Sequence, residues 1–241
     1  MRNFASDLKN STLKRNEIIL VALMALLNFT HILDFMIIMP LGNILMPKWS
    51  LTTSEFAIIV SSYSLSAFVS SFCAIFFADK FDRKKLLLFA YSGFLLGTFA
   101  CAFAFGTYSM ILARIVTGIF GGLISAQILS IIADVIPYER RGRAMGMLMG
   151  GFALASVIGV PFGLYLANTY DWHYPFLVVA IFGILLLPFL FKFVPNVNSH
   201  LENPIKLKER ISNFYDIFSN KAQVTALIFS FLLITGHFII V

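Results

Sequence analysis

Hydrophobic residues along this chain fall in seven long blocks, separated by short polar or basic breaks. The blocks run over 17–39, 54–77, 85–105, 108–132, 144–166, 175–193 and 222–241. Each is near the length of about 20 apolar residues that lets an α-helix cross the hydrocarbon core of a bilayer. The last block reaches the end of the chain at Phe238-Ile239-Ile240-Val241, with no polar residue to mark an exit. The pattern predicts an all-α membrane protein. It has a leader over 1–16, a six-helix domain over 17–193, a linker over 194–221 and a seventh helix over 222–241.

Charge orients these helices. Lys and Arg cluster in the leader (Arg2, Lys9, Lys14, Arg15), after the second block (Lys80, Arg83, Lys84, Lys85), after the fourth (Arg140, Arg141, Arg143) and across 192–221 (Lys192, Lys206, Lys208, Arg210, Lys221). That places 16 of the 18 basic residues on one side, leaving Lys48 in an opposite loop and Arg114 within a span. Because Lys and Arg stay cytoplasmic, the N-terminus is expected inside and the chain multi-pass in the cell's inner (plasma) membrane. Trp49 and Trp172 fall in or beside the outer loops, where interfacial aromatics belong. The linker carries a short amphipathic stretch, Ile211, Phe214, Tyr215 and Phe218, suited to the inner membrane surface.

Composition agrees. The chain is 59% hydrophobic and 12% charged, against about 25% charged in a soluble domain. Its net charge of +6 is spread in short clusters between apolar runs, which argues against nucleic acid and for a membrane. Cys73 and Cys101 fall towards opposite ends of adjacent spans, too far apart to bond. The first apolar block is too long for a cleaved signal and lacks a small-residue cleavage site. The histidines outside the first block, His173, His200 and His237, have no ligand-like partners at metal spacing, so no metal or cofactor is expected.

Small residues recur at four-residue spacing in Gly93/Gly97, Gly118/Gly122, Gly146/Gly150 and Gly159/Gly163, a pattern that lets helices approach closely in lipid. A faint repeat links Ala78-Asp79-Lys80-Phe81-Asp82 with Ala167-Asn168-Thr169-Tyr170-Asp171. These lie after the second and fifth blocks, on opposite sides of the membrane, as an inverted three-plus-three repeat would place them.

The stretch from Phe77 to Leu86, Phe-Ala-Asp-Lys-Phe-Asp-Arg-Lys-Lys-Leu, resembles the signature loop of the major facilitator superfamily, G-x-L-A-D-r-x-G-R-K. Ala78, Asp79, Arg83 and Lys84 match, while Ile75 and Asp82 stand where two glycines are usual. Further similarities follow in family order: Arg114-Ile-Val-Thr-Gly118, the loop from Pro137 to Ala144, Gly159-Val-Pro161-Phe-Gly163, and Asp171-Trp-His-Tyr-Pro-Phe176. The Gly-Pro element and the Asp34-Phe-Met of the first block look most like the drug- and sugar-efflux (drug:proton antiporter) branch. The resemblance implies twelve helices in two halves, of which this chain matches the first half plus one helix. A C-terminal six-helix half would then be its partner, alongside the lipid bilayer, protons and a small-molecule substrate.

The same resemblance assigns roles. Asp79, Arg83 and Asp134 would form an inner gate, and Gly159, Pro161 and Gly163 an antiporter packing element. The first and fourth spans would line a central cavity. Asp34 and His31, three residues apart, share one helical face. About 25 Å from Glu17 at 1.5 Å per residue, Asp34 is expected in the outer third of the membrane. Asp34 could bind and release a proton, with His31 as relay; alternatively Asp34 caps a helix broken before Pro40 and His31 is a satisfied interior residue. Arg114, costly within a span, either faces a partner or a watery cavity, or snorkels outward. Asn28 and Gln127 are further candidates for a polar path. Taken singly, Asp34 suggests cationic cargo and Arg114 anionic cargo.

The function expected is secondary active transport by alternating access, as proton-coupled efflux of a small molecule. The alternatives are a non-transporting half or partner subunit, and an intramembrane enzyme drawing on His31 and the serines of the second block.

Overall fold

A computed structural model describes residues 12–197 and 218–240, with side chains through 232. The linker's amphipathic stretch at Ile211, Phe214 and Tyr215 lies outside the described residues, as does most of the leader. Two compact units result, Met1–Leu201 and Glu202–Val241. In the first, six helices follow in order: α1 (Arg15–Lys48), α2 (Thr53–Phe77), α3 (Arg83–Ala102), α4 (Thr107–Val135), α5 (Tyr138–Thr169) and α6 (His173–Phe193). All six are long and apolar enough to cross a membrane. The second unit contributes α7 (Lys221–Ile240).

The packing is that of an inverted repeat. α2 packs on α4 as α1 packs on α5, α3 packs on α4 as α1 packs on α6, and α3 meets α6. Exchanging the first three helices with the second three in order maps this set of pairings onto itself. The two short stretches that hinted at a repeat close corresponding helix junctions. Asp82 caps α3, accepting a hydrogen bond from Lys85 N–H at 3.1 Å. Asp171 accepts one from His173 N–H at 3.3 Å as α6 begins.

Glycines set the closest approaches. An added Cβ at Gly118 would lie 2.4 Å from the Tyr63 carbonyl oxygen, and one at Gly122 would lie 2.3 Å from that of Ala67. These two residues bring α4 onto α2. Gly93 and Gly97 likewise meet Phe120 and Thr117 of α4. Gly159 and Gly163 press α5 against Leu33 and Ile37 of α1. The Gly146/Gly150 pair differs from expectation: both face open space, and Gly151 makes the close contact instead, against the Ala25 carbonyl.

Prolines alter two helices in different ways. α1 does not end before Pro40; it runs through Pro40 and Pro47 to Lys48. Proline removes one backbone donor from a helix, a loss that packing against neighbouring helices makes tolerable in a membrane. At 34 residues, α1 is about 51 Å long, so Asp34 falls just past its midpoint rather than near its outer end. In α5 the helix widens into a π turn over Ala155–Gly159, immediately before Pro161. An extra residue per turn is a known way to absorb a disrupted hydrogen-bond ladder.

Trp172 departs from the interfacial expectation by turning inward, while Trp49 stays partly exposed. Trp172 is 1% exposed and stacks edge-on with Trp49, ring centroids 5.2 Å apart. Lys48 lies over the Trp172 ring and pairs with Asp171 at 3.5 Å. An apolar core gathers at this end of the bundle around Ile38, Leu41, Met110 and Phe176. A second core gathers at the basic end around Met24, Leu27, Phe94 and Ile128. The polar residues of α1, α3 and α4 lie between the two.

Candidate functional site: an enclosed ion pair between α1 and α4

Asp34 of α1 and Arg114 of α4 are fully buried, and each is the other's partner. Arg114 Nη1 donates to Asp34 Oδ2 at 2.8 Å and to the Asp34 carbonyl at 3.2 Å. Neither faces lipid, and Asp34 is not a helix cap. A charge at the centre of a membrane helix costs roughly 2.5–3.5 kcal/mol on insertion scales, and pairing offsets this only where geometry is good. The carbonyl contact is part of that geometry, because it gives the same guanidinium nitrogen a second acceptor on the same residue. The pair also cancels the separate hints of cationic and anionic cargo: between them these side chains present no net charge.

Tyr63 of α2 completes the arrangement. Its ring lies 4.6 Å from Arg114 Cζ, within cation–π range. Its hydroxyl is 2.7 Å from His31 Nε2. The His31 ring in turn meets Phe94 of α3, centroids 5.6 Å apart. Four helices therefore converge on one polar layer, with Thr98 of α3 and Thr117 of α4 buried in it. Thr117 donates to the Arg114 carbonyl at 2.9 Å, within its own helix. Gly121 makes room for the Tyr63–His31 contact, since a Cβ there would lie 2.6 Å from the tyrosine hydroxyl and 2.8 Å from the imidazole. His31 and Asp34 thus share a buried face, and each meets a different partner.

Of the two weaker candidates, Asn28 is buried and reaches the Leu148 carbonyl only at 3.5 Å. Gln127 is fully buried, and its amide has no hydrogen-bonding partner among the described residues. Among the described residues, no hydrogen bond joins either of them to the ion pair.

At the basic end, Arg83 bridges two carboxylates. It lies 2.8 Å from Asp79, at the end of α2, and its Nε donates to Asp134, at the end of α4, at 2.9 Å. Arg83 therefore contacts both carboxylates that the resemblance grouped with it. Asp82, where the family usually has glycine, serves as the N-cap of α3 instead. The following basic loop is structural in part. Arg141 donates to the Ile136 carbonyl at 3.0 Å and also to that of Ala133, closing the C-terminus of α4. Arg140 makes two bonds to Glu17, at 2.8 and 3.0 Å, tying α5 to α1.

Sequence reasoning missed Tyr63 and the Glu17–Arg140 pair. Tyr63 sits among Ser61, Ser62 and Ser64, which mark a polar patch in α2 but not its direction. Only the pairing of α2 with α4 through Gly118 and Gly121 brings its ring to Arg114.

Comparison with known proteins agrees with the helical fold. The chain is 27% identical over 205 residues to the uncharacterized MFS-type transporter YceJ of Bacillus subtilis (strain 168), covering 85% of this chain and 52% of that protein. It is 29% identical over 165 residues to multidrug resistance protein 3 of the same organism, covering 68% and 32%. The chain thus spans about half or less of the length of these relatives. Its fold matches the crystal structure of a bacterial homologue of the human lysosomal transporter Spinster, inward-facing and unoccupied, with a TM-score of 0.66 at 16% identity, over 87% of this chain and 50% of that one. YceJ is named a transporter, which speaks against the intramembrane enzyme. The family model for the Major Facilitator Superfamily matches residues 24–241, and the chain accordingly belongs to that superfamily.

Proposed function

We propose that this chain supplies the N-terminal half of a secondary transporter that exports a small molecule in exchange for protons. It would sit in the inner membrane with its N-terminus in the cytoplasm and pair with a C-terminal six-helix half. The observation that carries the reading is the Asp34–Arg114 pair, fully enclosed and joining α1 of one repeat to α4 of the other. Coupling needs a group whose protonation changes the balance between two conformations. A proton on Asp34 would cancel its charge and leave Arg114 a buried cation held by Tyr63 and a carbonyl. A shift of α4 relative to α1 would then relieve that cation by giving it water or an anionic group. His31, bonded to Tyr63, lies on the route by which that change reaches α2. At the cytoplasmic end of α2, the Asp79–Arg83–Asp134 cluster would hold the bundle closed in one state and separate in the other. The Gly159–Pro161–Gly163 element, at a π turn packed on α1, would set where α5 bends. The name of multidrug resistance protein 3 supports cargo of the drug-like class.

The test uses the complete transporter in everted membrane vesicles, with ethidium as the probe cargo and an imposed pH gradient. Asp34→Asn is expected to abolish gradient-driven accumulation while insertion stays normal. Arg114→Gln and the double variant Asp34→Asn/Arg114→Gln should do the same. Gradient-driven accumulation in Asp34→Asn equal to the parent would reject the coupling role. A chain that never transports, even when complete, would favour the non-transporting partner.

A further inference from the structure

Two apolar grooves flank α3 at the basic end of the bundle and share the Phe89 ring. One lies between the α2–α3 junction and α3, walled by Phe77, Phe81 and Phe89. The other lies between α3 and α6, walled by Phe89, Pro188 and Phe191. Each has a lysine at its basic rim. Lys85 lines the first and is exposed; the ammonium of Lys84 lies over the Phe191 ring of the second, 5.3 Å from its centroid. From Lys84 to Ser92, which lies in the second groove, is about 12 Å along the helix. That is the depth of a headgroup and the first part of an acyl chain.

We infer that a two-chain anionic phospholipid sits astride α3, one acyl chain in each groove and its phosphate held by Lys84 and Lys85. Charge favours this occupant over a neutral lipid. Arg83 is already committed to Asp79 and Asp134, whereas neither lysine forms an ion pair among the described residues. Asp82 lies in the first groove but is buried beneath it, with one oxygen holding the Lys85 N–H. The division of labour follows from the solvent. Lipid tails are as apolar as these phenylalanines, so the grooves hold the chains by close packing alone, equally for any headgroup. Selection falls to the lysines, each expected to favour an anionic headgroup about fivefold near the surface. The lipid would brace α3 against α6, the contact that joins the two repeats on the periphery.

The experiment measures lipid retention by native mass spectrometry on the full chain in mixed micelles. Dioleoyl phosphatidylglycerol competes with dioleoyl phosphatidylcholine, so the chains are identical. The parent should retain phosphatidylglycerol about 25-fold in preference, and Lys84→Gln/Lys85→Gln should retain both equally. Lys80→Gln, an exposed lysine at neither rim, should keep the parent's preference. Phe89→Ala should weaken retention of both lipids and leave their ratio unchanged, a result that diffuse surface charge does not produce. Soluble glycerol phosphate should fail to displace the lipid. Equal retention of the two lipids by the parent would overturn the inference. So would a loss in Lys80→Gln as large as in the double variant, or displacement by glycerol phosphate, which would mark a site for free phosphate.

Discussion

Asp34 and Arg114 each carry a charge that lipid would penalise, and the chain meets that penalty by turning both inward to one contact. Their intramembrane positions were legible from the pattern of apolar blocks, and a charged residue inside such a block demands a partner. Which partner was not legible, since that depends on how α1 and α4 are rotated and set in height. Glycines show the same division. Their spacing announced close helix contacts, but not which face would be covered. Gly118→Ala would place a Cβ 2.0 Å from Ser66 Oγ and 2.4 Å from a backbone oxygen that cannot swing away, so α2 and α4 must separate. We expect a loss of about 1–3 kcal/mol, read as a lower unfolding temperature in detergent. Gly146→Ala meets nothing within 4 Å and should be neutral or stabilising by up to about 1 kcal/mol. Equal effects at the two sites would contradict the packing.

Individual helices were read well in place and less well in extent. Hydrophobic length marked six spans, yet α1 and α5 extend beyond their apolar blocks: α1 because Pro40 does not stop it, and α5 because the polar residues from Tyr138 to Arg143 still join the helix. Pro40 looked like a stop and is not one; Pro161 follows a π turn over Ala155–Gly159 that no residue pattern announced. Helix junctions were legible where motifs carried charge, and the Asp79–Arg83–Asp134 contact is the clearest example. If that cluster holds the basic end closed, Arg83→Gln should expose buried Ala78 beside it. In a background with Cys73 and Cys101 replaced by serine, Ala78→Cys should then react severalfold faster with maleimide, and an unchanged rate would argue that the cluster only caps helices. At the opposite junction, burial works to raise the Asp171 carboxyl, but hydrogen bonds from His173 and the nearby Lys48 outweigh it and hold the group below the usual carboxylate range. The carboxylate therefore stabilises the fold at neutral pH, and the contribution fades as pH falls through that lowered value. With a side chain 38% exposed, the effect should stay under about 1 kcal/mol. Asp171→Asn should lower the unfolding temperature slightly at pH 7 and leave it unchanged in acid.

Across the whole bundle, the bilayer explains why the fold class could be read from the chain: backbone groups in lipid must bond internally, and long apolar blocks can then only be helices. The inverted repeat was barely visible in residues, because packing conserves contact geometry rather than side-chain identity, but it is plain in which helices touch. Its consequence is that α1 and α4, equivalent members of the two repeats, meet through the ion pair. The account therefore stands on Asp34 and Arg114 acting as one unit. A double-mutant cycle on unfolding in dodecyl sulfate tests this directly, using Asp34→Asn, Arg114→Gln and the two combined. Each single change strands a buried group and should cost about 3–5 kcal/mol, while the double should cost much less than their sum, a coupling of at least about 1.5 kcal/mol. Additive losses, within about 0.5 kcal/mol, would mean that the two residues do not depend on each other, and the enclosed pair would no longer stand.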